Sequence, residues 1–150
     1  MSSELFKIAG NIEDDYMIQF FKRFDYVKSL ELTEGNVVYD AIINNDILVE
    51  CKVRKANQKL FNIIKKEGVI LEEKKLRYLM KAKQRLNGKA VFYINFFPTQ
   101  NKVYLWRLDE LDDKTHILWM NDKTYSYNSK KVKKEVYLLD INEALQFDIN

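Results

Sequence analysis

Apolar residues recur at near-helical spacing through Ile12, Tyr16, Phe20 and Phe24, with Met17 and Phe21 widening the stripe. This predicts a first helix, capped near Asn11. The period then shortens. Residues 26–32 alternate, residues 37–43 are rich in β-formers, and residues 47–53 complete a third strand-like run, with turn signals at 33–36 and 44–46. A three-stranded, antiparallel meander is expected. A basic, mixed segment at 54–66 reads as loop and helix, interrupted by Gly68, Val69 and Ile70. A clear helix follows over about 72–86, with Leu76, Leu79, Met80, Lys83 and Leu86 on its period and Asn87-Gly88 as its stop. The near-continuous apolar run at 90–97 predicts a strand covered on both faces, and residues 102–108 return as a hairpin. In the tail, residues 118–120, 124–127 and 135–139 read as short strands and 142–146 as a final helix. The order predicts an α/β fold, a sheet with helices against it.

With 150 residues, 47% hydrophobic, 31% charged and 13% aromatic, the chain suits one domain with a proper core. No apolar run is long enough for a bilayer, and no signal-like segment follows Met-Ser-Ser-Glu. The single cysteine, Cys51, fits a reducing compartment, so a cytoplasmic location is expected. One Cys and one His exclude a Cys/His zinc site within one chain. The five serines sit in no nucleophile elbow, and phosphate-loop and dinucleotide fingerprints are absent. Carboxylates, lysines and a metal ion remain as machinery.

Charge is uneven. Residues 1–50 hold 4 Lys/Arg against 10 Asp/Glu, residues 51–89 hold 13 against 3, and residues 90–150 hold 8 against 9. The basic middle is either a phosphate-facing surface or a solvated, lysine-rich helix face. Arg54, Lys55, Lys74, Lys75, Arg77, Lys81 and Arg85 are the candidate contacts to a nucleic-acid backbone. Trp106, Trp119, Tyr93 and Phe97 read as core, His116 as a loop residue, and the lysine run at 130–134 as a solvated turn or strand edge, with contact to a nucleic-acid backbone as the alternative.

Glu50 and Lys52 are one residue apart on a strand, so both point one way while Val49, Cys51 and Val53 point into apolar packing. Asp40, one strand earlier, folds back beside Glu50 or Lys52. Glu13 sits at the edge of the first helix's apolar stripe; alternatively Glu13, Asp14 and Asp15 simply complement the helix dipole. Two carboxylates and a backbone carbonyl suit Mg²⁺, which polarises a phosphodiester and acidifies a bound water, while a lysine stabilises the developing charge.

Asp40 followed by Glu50-Cys51-Lys52, behind a helix that opens Gly10-Asn11-Ile12-Glu13, resembles the PD-(D/E)xK nuclease superfamily, nearest to the archaeal-type Holliday junction resolvases. The resemblance covers about residues 10–108. It implies a restriction-endonuclease-like core with a short β-rich extension over about 109–150, all in one domain. It implies an endonuclease acting on DNA, favoured over RNA, with Mg²⁺ or Mn²⁺ as cofactor. Asp40, Glu50 and the Cys51 carbonyl would hold the metal, Glu13 would bind it directly or through water, and Lys52 would activate the attacking water. A resolvase role would need two active sites and hence a homodimer. Tyr39 stands where the motif has proline, and the tail has no counterpart in the compact resolvases. The competing readings are a nuclease fold kept only for binding nucleic acid, and a phage or mobile-element assembly module in which Glu50 and Lys52 are a cross-face ion pair.

Overall fold

The computed structural model describes residues 12–35, 37–111, 115–121 and 131–150. Its elements are α1 (Ile12–Phe21), β1 (Leu30–Leu32), β2 (Ala41–Ile43), β3 (Ile47–Val53), α2 (Gln58–Glu67), β4 (Val69–Glu72), α3 (Glu73–Arg85), β5 (Ala90–Phe97), β6 (Lys102–Arg107), β7 (Thr115–Asn121), β8 (Lys131–Leu139) and β9 (Leu145–Asp148). The α/β class is as expected. A six-stranded sheet runs β1-β2-β3-β5-β6-β9, and a three-stranded sheet runs β4-β8-β7.

The meander forms because local turns demand it. Asn44 and Asn45 take φ of 53° and 64°, the left-handed region that asparagine tolerates better than most residues. They turn β2 straight back onto β3, in antiparallel register from Ile43↔Ile47 to Ala41↔Val49. Asn44 Oδ1 also accepts from the Lys28 and Ser29 N–H groups at 2.7 and 3.2 Å, anchoring the approach to β1. Within the large sheet, β3 and β5 are parallel neighbours. Parallel strands need a long crossover, and α2, β4 and α3 supply it. Asn57 starts α2 by accepting from the Leu60 N–H at 2.9 Å.

The large sheet buries both faces. On one, Met17, Ile18, Phe20 and Phe21 of α1 pack against Ile43, Val49, Cys51 and Ile94. On the other, Leu48, Val91 and Tyr93 meet Phe61, Leu79 and Ala82 of the helices and Val69 and Leu139 of the small sheet. The run at 90–97 is therefore a central strand, as its composition predicts.

Several expectations are corrected. Ile12 is 52% exposed, while Asp14 is buried. Asp14, Met17, Ile18 and Phe21 recur at helical spacing, so the inward stripe is rotated from the one anchored on Ile12. The strands expected over 26–32 and 37–43 shrink to three residues each. The Gly68-Val69-Ile70 interruption opens β4, whose backbone pairs with β8 from Val69↔Leu139 to Glu72↔Val136. No helix covers 142–146; a 3₁₀ turn at Ile141–Glu143 leads into β9, which pairs with β6. Lys131, Lys133 and Lys134 lie on β8, the middle strand of the small sheet and not an edge. Trp106, Tyr93 and Phe97 are core residues. Gly10, Asn11, Lys130, residues 124–127 and the His116 and Trp119 side chains lie outside what is described. Among the described residues, no helix is long and apolar enough to cross a membrane.

Candidate active site

The pleat of β3 sets the site's geometry. Val49 and Cys51 pack toward α1 and Leu48 toward the crossover helices, so Glu50 and Lys52 project from the crossover side. Asp40 stands in a bend immediately before β2 and not within it. Its N–H still donates to Val49 O at 2.8 Å, one step beyond the strand's end. Its Oδ2 accepts from the Cys51 N–H at 2.7 Å. One carboxylate oxygen thus ties Asp40 to the backbone between Glu50 and Lys52.

Glu50 is buried, at 3% exposure. Lys75 Nζ, reaching back from α3, lies 3.3 Å from Glu50 Oε2. The same Nζ donates to Val38 O at 2.6 Å, and Oε2 is left without an aligned hydrogen bond. Burial first, and then the Asp40 charge, push the Glu50 carboxyl up to about 8, against the opposing pull of Lys75 and Lys52. Glu13 is raised too, by burial and then by Asp40, while Lys52 lowers it. Asp40 therefore lies electrostatically between Glu13 and Glu50. The Cys51 thiol is held well above its usual value, chiefly by burial, so it packs as an apolar group and is no nucleophile. Its Sγ lies 4.0 Å from Glu13 O, which brings the start of α1 to this end of β3.

Among the described residues, no three His, Cys, Asp or Glu side chains are gathered closely enough to hold a metal by themselves. Asp40, Glu50 and the Cys51 carbonyl match a hard cation that keeps most of its waters. The unaligned, buried Glu50 Oε2 fits such a cation as its missing partner.

Of the three carboxylates, Glu50 opens onto a cleft of about 650 Å³ between the two sheets. Glu50, Lys52 and Arg54 line one side, Lys75 reaches in from α3, and Lys131 and Lys134 lie opposite on β8. Arg54 follows β3 directly. Its Nη2 donates to Tyr93 OH at 3.0 Å, and its Nε donates to Asn95 Oδ1. Tyr93 and Asn95 sit on β5 in register with Glu50 and Lys52.

Of the basic residues singled out from the sequence, Arg54 and Lys75 line this cleft, and Arg77 does not. Lys74 lines a neighbouring groove with Glu72 and Lys134. Lys81 faces a separate depression on α3, and Lys55 and Arg85 are exposed elsewhere. The sequence reading missed the pairing of Lys75 with Glu50 and the support that Asn95 gives Arg54, and it did not show that Lys131 and Lys134 form the far wall. Lys75 had one legible signal, its place four residues before buried Leu79; the others depend on contacts distant in sequence. No protein-family model, curated protein or solved structure matches this chain.

Proposed function

We propose that this protein is a divalent-metal-dependent endonuclease of the PD-(D/E)xK type that hydrolyses phosphodiester bonds in DNA. The observation that carries the reading is the meeting of Asp40, Glu50 and Lys52 at one end of β3, where Glu50 and Lys52 line a cleft rich in cations. The order of α1, a three-stranded meander, a helical crossover and a parallel β5 supports a restriction-endonuclease-like core. The ion pair that Glu50 makes is with Lys75 and not Lys52, which leaves the cross-face pairing of an assembly module without support.

Asp40, Glu50 and the Cys51 carbonyl would hold Mg²⁺ or Mn²⁺, with Glu13 acting through water. When bound, the metal supplies positive charge at the phosphate and a more acidic water. Lys52 is exposed to the cleft and places an ammonium where negative charge builds as a water oxygen bonds to phosphorus and the ester oxygen departs with a proton. Arg54 holds the phosphate by a guanidinium fixed on two sides. A resolvase-like preference for branched DNA would require two such sites, and so a homodimer.

The test is cleavage of labelled single strand, duplex, flap, four-way junction and RNA with Mg²⁺, Mn²⁺ or EDTA. Metal-dependent cleavage is expected, with at least about a hundredfold loss in Asp40→Asn and Lys52→Ala, in the range of removing one charge-stabilising group. Wild type that cuts nothing under any condition, or variants that cut as well as wild type, would refute the proposal.

A further inference from the structure

We infer that the cleft between the two sheets receives one nucleotide of an unpaired strand, its phosphate against Arg54, Lys131 and Lys134 and its base against Ile70 and Met120. This rests on the reading of the protein as a nuclease and names the form of its substrate.

Size limits the occupant. About 650 Å³ falls among cavities that hold small ligands, roughly 300–1,000 Å³. A duplex, whose major groove alone is about 12 Å wide, does not enter such a space; a nucleotide splayed from its stack does.

The lining is matched to a molecule with one charged and one flat apolar part. Arg54 commits two of its three guanidinium nitrogens to Tyr93 and Asn95. Tyr93 and Asn95 are themselves buried, at 1% and 0% exposure. The plane of the guanidinium is thereby set before a ligand arrives, which lowers the ordering cost of binding an anion. Lys134 is steadied at the opposite wall by Glu72, at 2.7 Å, and Lys131 stands exposed on the same strand. The small sheet adds apolar side chains to the same lining, beside Glu72. Ile70 is 38% exposed, and Met120 on β7 lines the same cleft. Apolar side chains of this kind pack against an extruded base, and extrusion costs least when the base is already unpaired. Ile70 and Met120 both come from the small sheet, so the wall that excludes a duplex is built by strands outside the carboxylate-bearing meander.

The test is equilibrium binding by fluorescence anisotropy in EDTA, where no cleavage occurs, with the full chain. The probes are a labelled oligothymidine of about 12 nucleotides, within the usual site sizes for single strands, and a blunt duplex of equal length. Variants are Arg54→Gln, the pair Lys131→Gln and Lys134→Gln, and Ile70→Thr, which keeps a β-branched residue on β4. Lys59→Gln, on the exposed face of α2, is the control, and a thermal melt checks that each variant folds. The single strand is expected to bind at least about tenfold tighter than the duplex. Arg54→Gln and the lysine pair are each expected to weaken it by about tenfold, and Ile70→Thr by about fivefold, the lower end of a base-packing contribution. Duplex binding as tight as single strand, no binding of either, or single-strand affinity unchanged in the folded Arg54 and Ile70 variants overturns the inference. Because the assay needs no catalysis, a protein that binds this way but never cuts refutes only the nuclease, and one that cuts duplex without preferring single strand refutes only this inference.

Discussion

Burying the Glu50 carboxyl costs stability unless a proton or a cation compensates its charge. Unfolded, the group titrates near 4.5; folded, near 8. Between those values the folded chain holds a proton that the unfolded chain has released. The contribution of this group is therefore fully present below about 4.5, is lost as pH rises through the window, and is gone above about 8. The slope approaches about 1.4 kcal/mol per pH unit. In EDTA, Glu50→Gln is expected to melt several degrees above wild type at pH 8 and close to it at pH 4. Adding Mg²⁺ at pH 8 is expected to raise the melting temperature of wild type more than that of Glu50→Gln, because the amide takes away one of the two carboxylates proposed to hold the ion. Parallel melting curves for the two proteins from pH 4 to 8 would show that Glu50 is not a buried, uncompensated acid.

At the scale of elements, the junction between α2 and β4 is the most constrained backbone. Gly68 has φ of 101°, where an L side chain is strained. A Cβ there would lie 2.9 Å from Leu139 O and 3.0 Å from Leu138 C, both backbone atoms of β8. Neither can move without breaking the Val69↔Leu139 pairing. Gly68→Ala is expected to destabilise the protein by more than about 1 kcal/mol in urea denaturation. A loss within error would mean that β8 does not cross at this point. The sequence marked Gly68 as a break, correctly, because glycine is an exception to helix and strand alike. It could not show that the four residues after it form a strand, since their partner is distant in sequence. The meander was legible for the opposite reason: its pairing is set by three asparagine and aspartate residues between β2 and β3. Its strands were overextended because β propensity continues past the point where a partner strand exists.

For the whole molecule, the described strands after Leu111 are woven into both sheets, β7 and β8 into the small one and β9 into the large one. β8 covers Val69 and Leu71 from one side of the chain's centre. β9 closes the edge of β6, and Phe147 stacks edge-on against Phe20 and Phe24 of the N-terminal segment, at 5.1 and 5.5 Å. A chain ending at Leu111 would expose these apolar surfaces, leave β4 without a partner and open the outer edge of β6. It is expected to give no cooperative thermal transition and to lose its near-UV circular dichroism. A sharp transition close to that of the full chain would make the tail an appendage on a self-sufficient core.

The sequence alone determined what depends on near neighbours. The pleat of β3 places Glu50 and Lys52 together and Cys51 opposite. The continuous apolar run of β5 requires cover on both faces, and Asn87-Gly88 ends α3 within a residue or two of its expected stop. Tertiary structure decided what depends on chain segments far apart. It brought Lys75 to Glu50, Tyr93 and Asn95 to Arg54, and Asp40 Oδ2 to the Cys51 N–H. It also raised β8 into the wall of the cleft. Periodicity records which face of an element is apolar, because each residue's neighbours three or four positions away share that face. It does not record which distant element covers that face, because many pairings bury equal area and the choice is made by the packing of the whole chain.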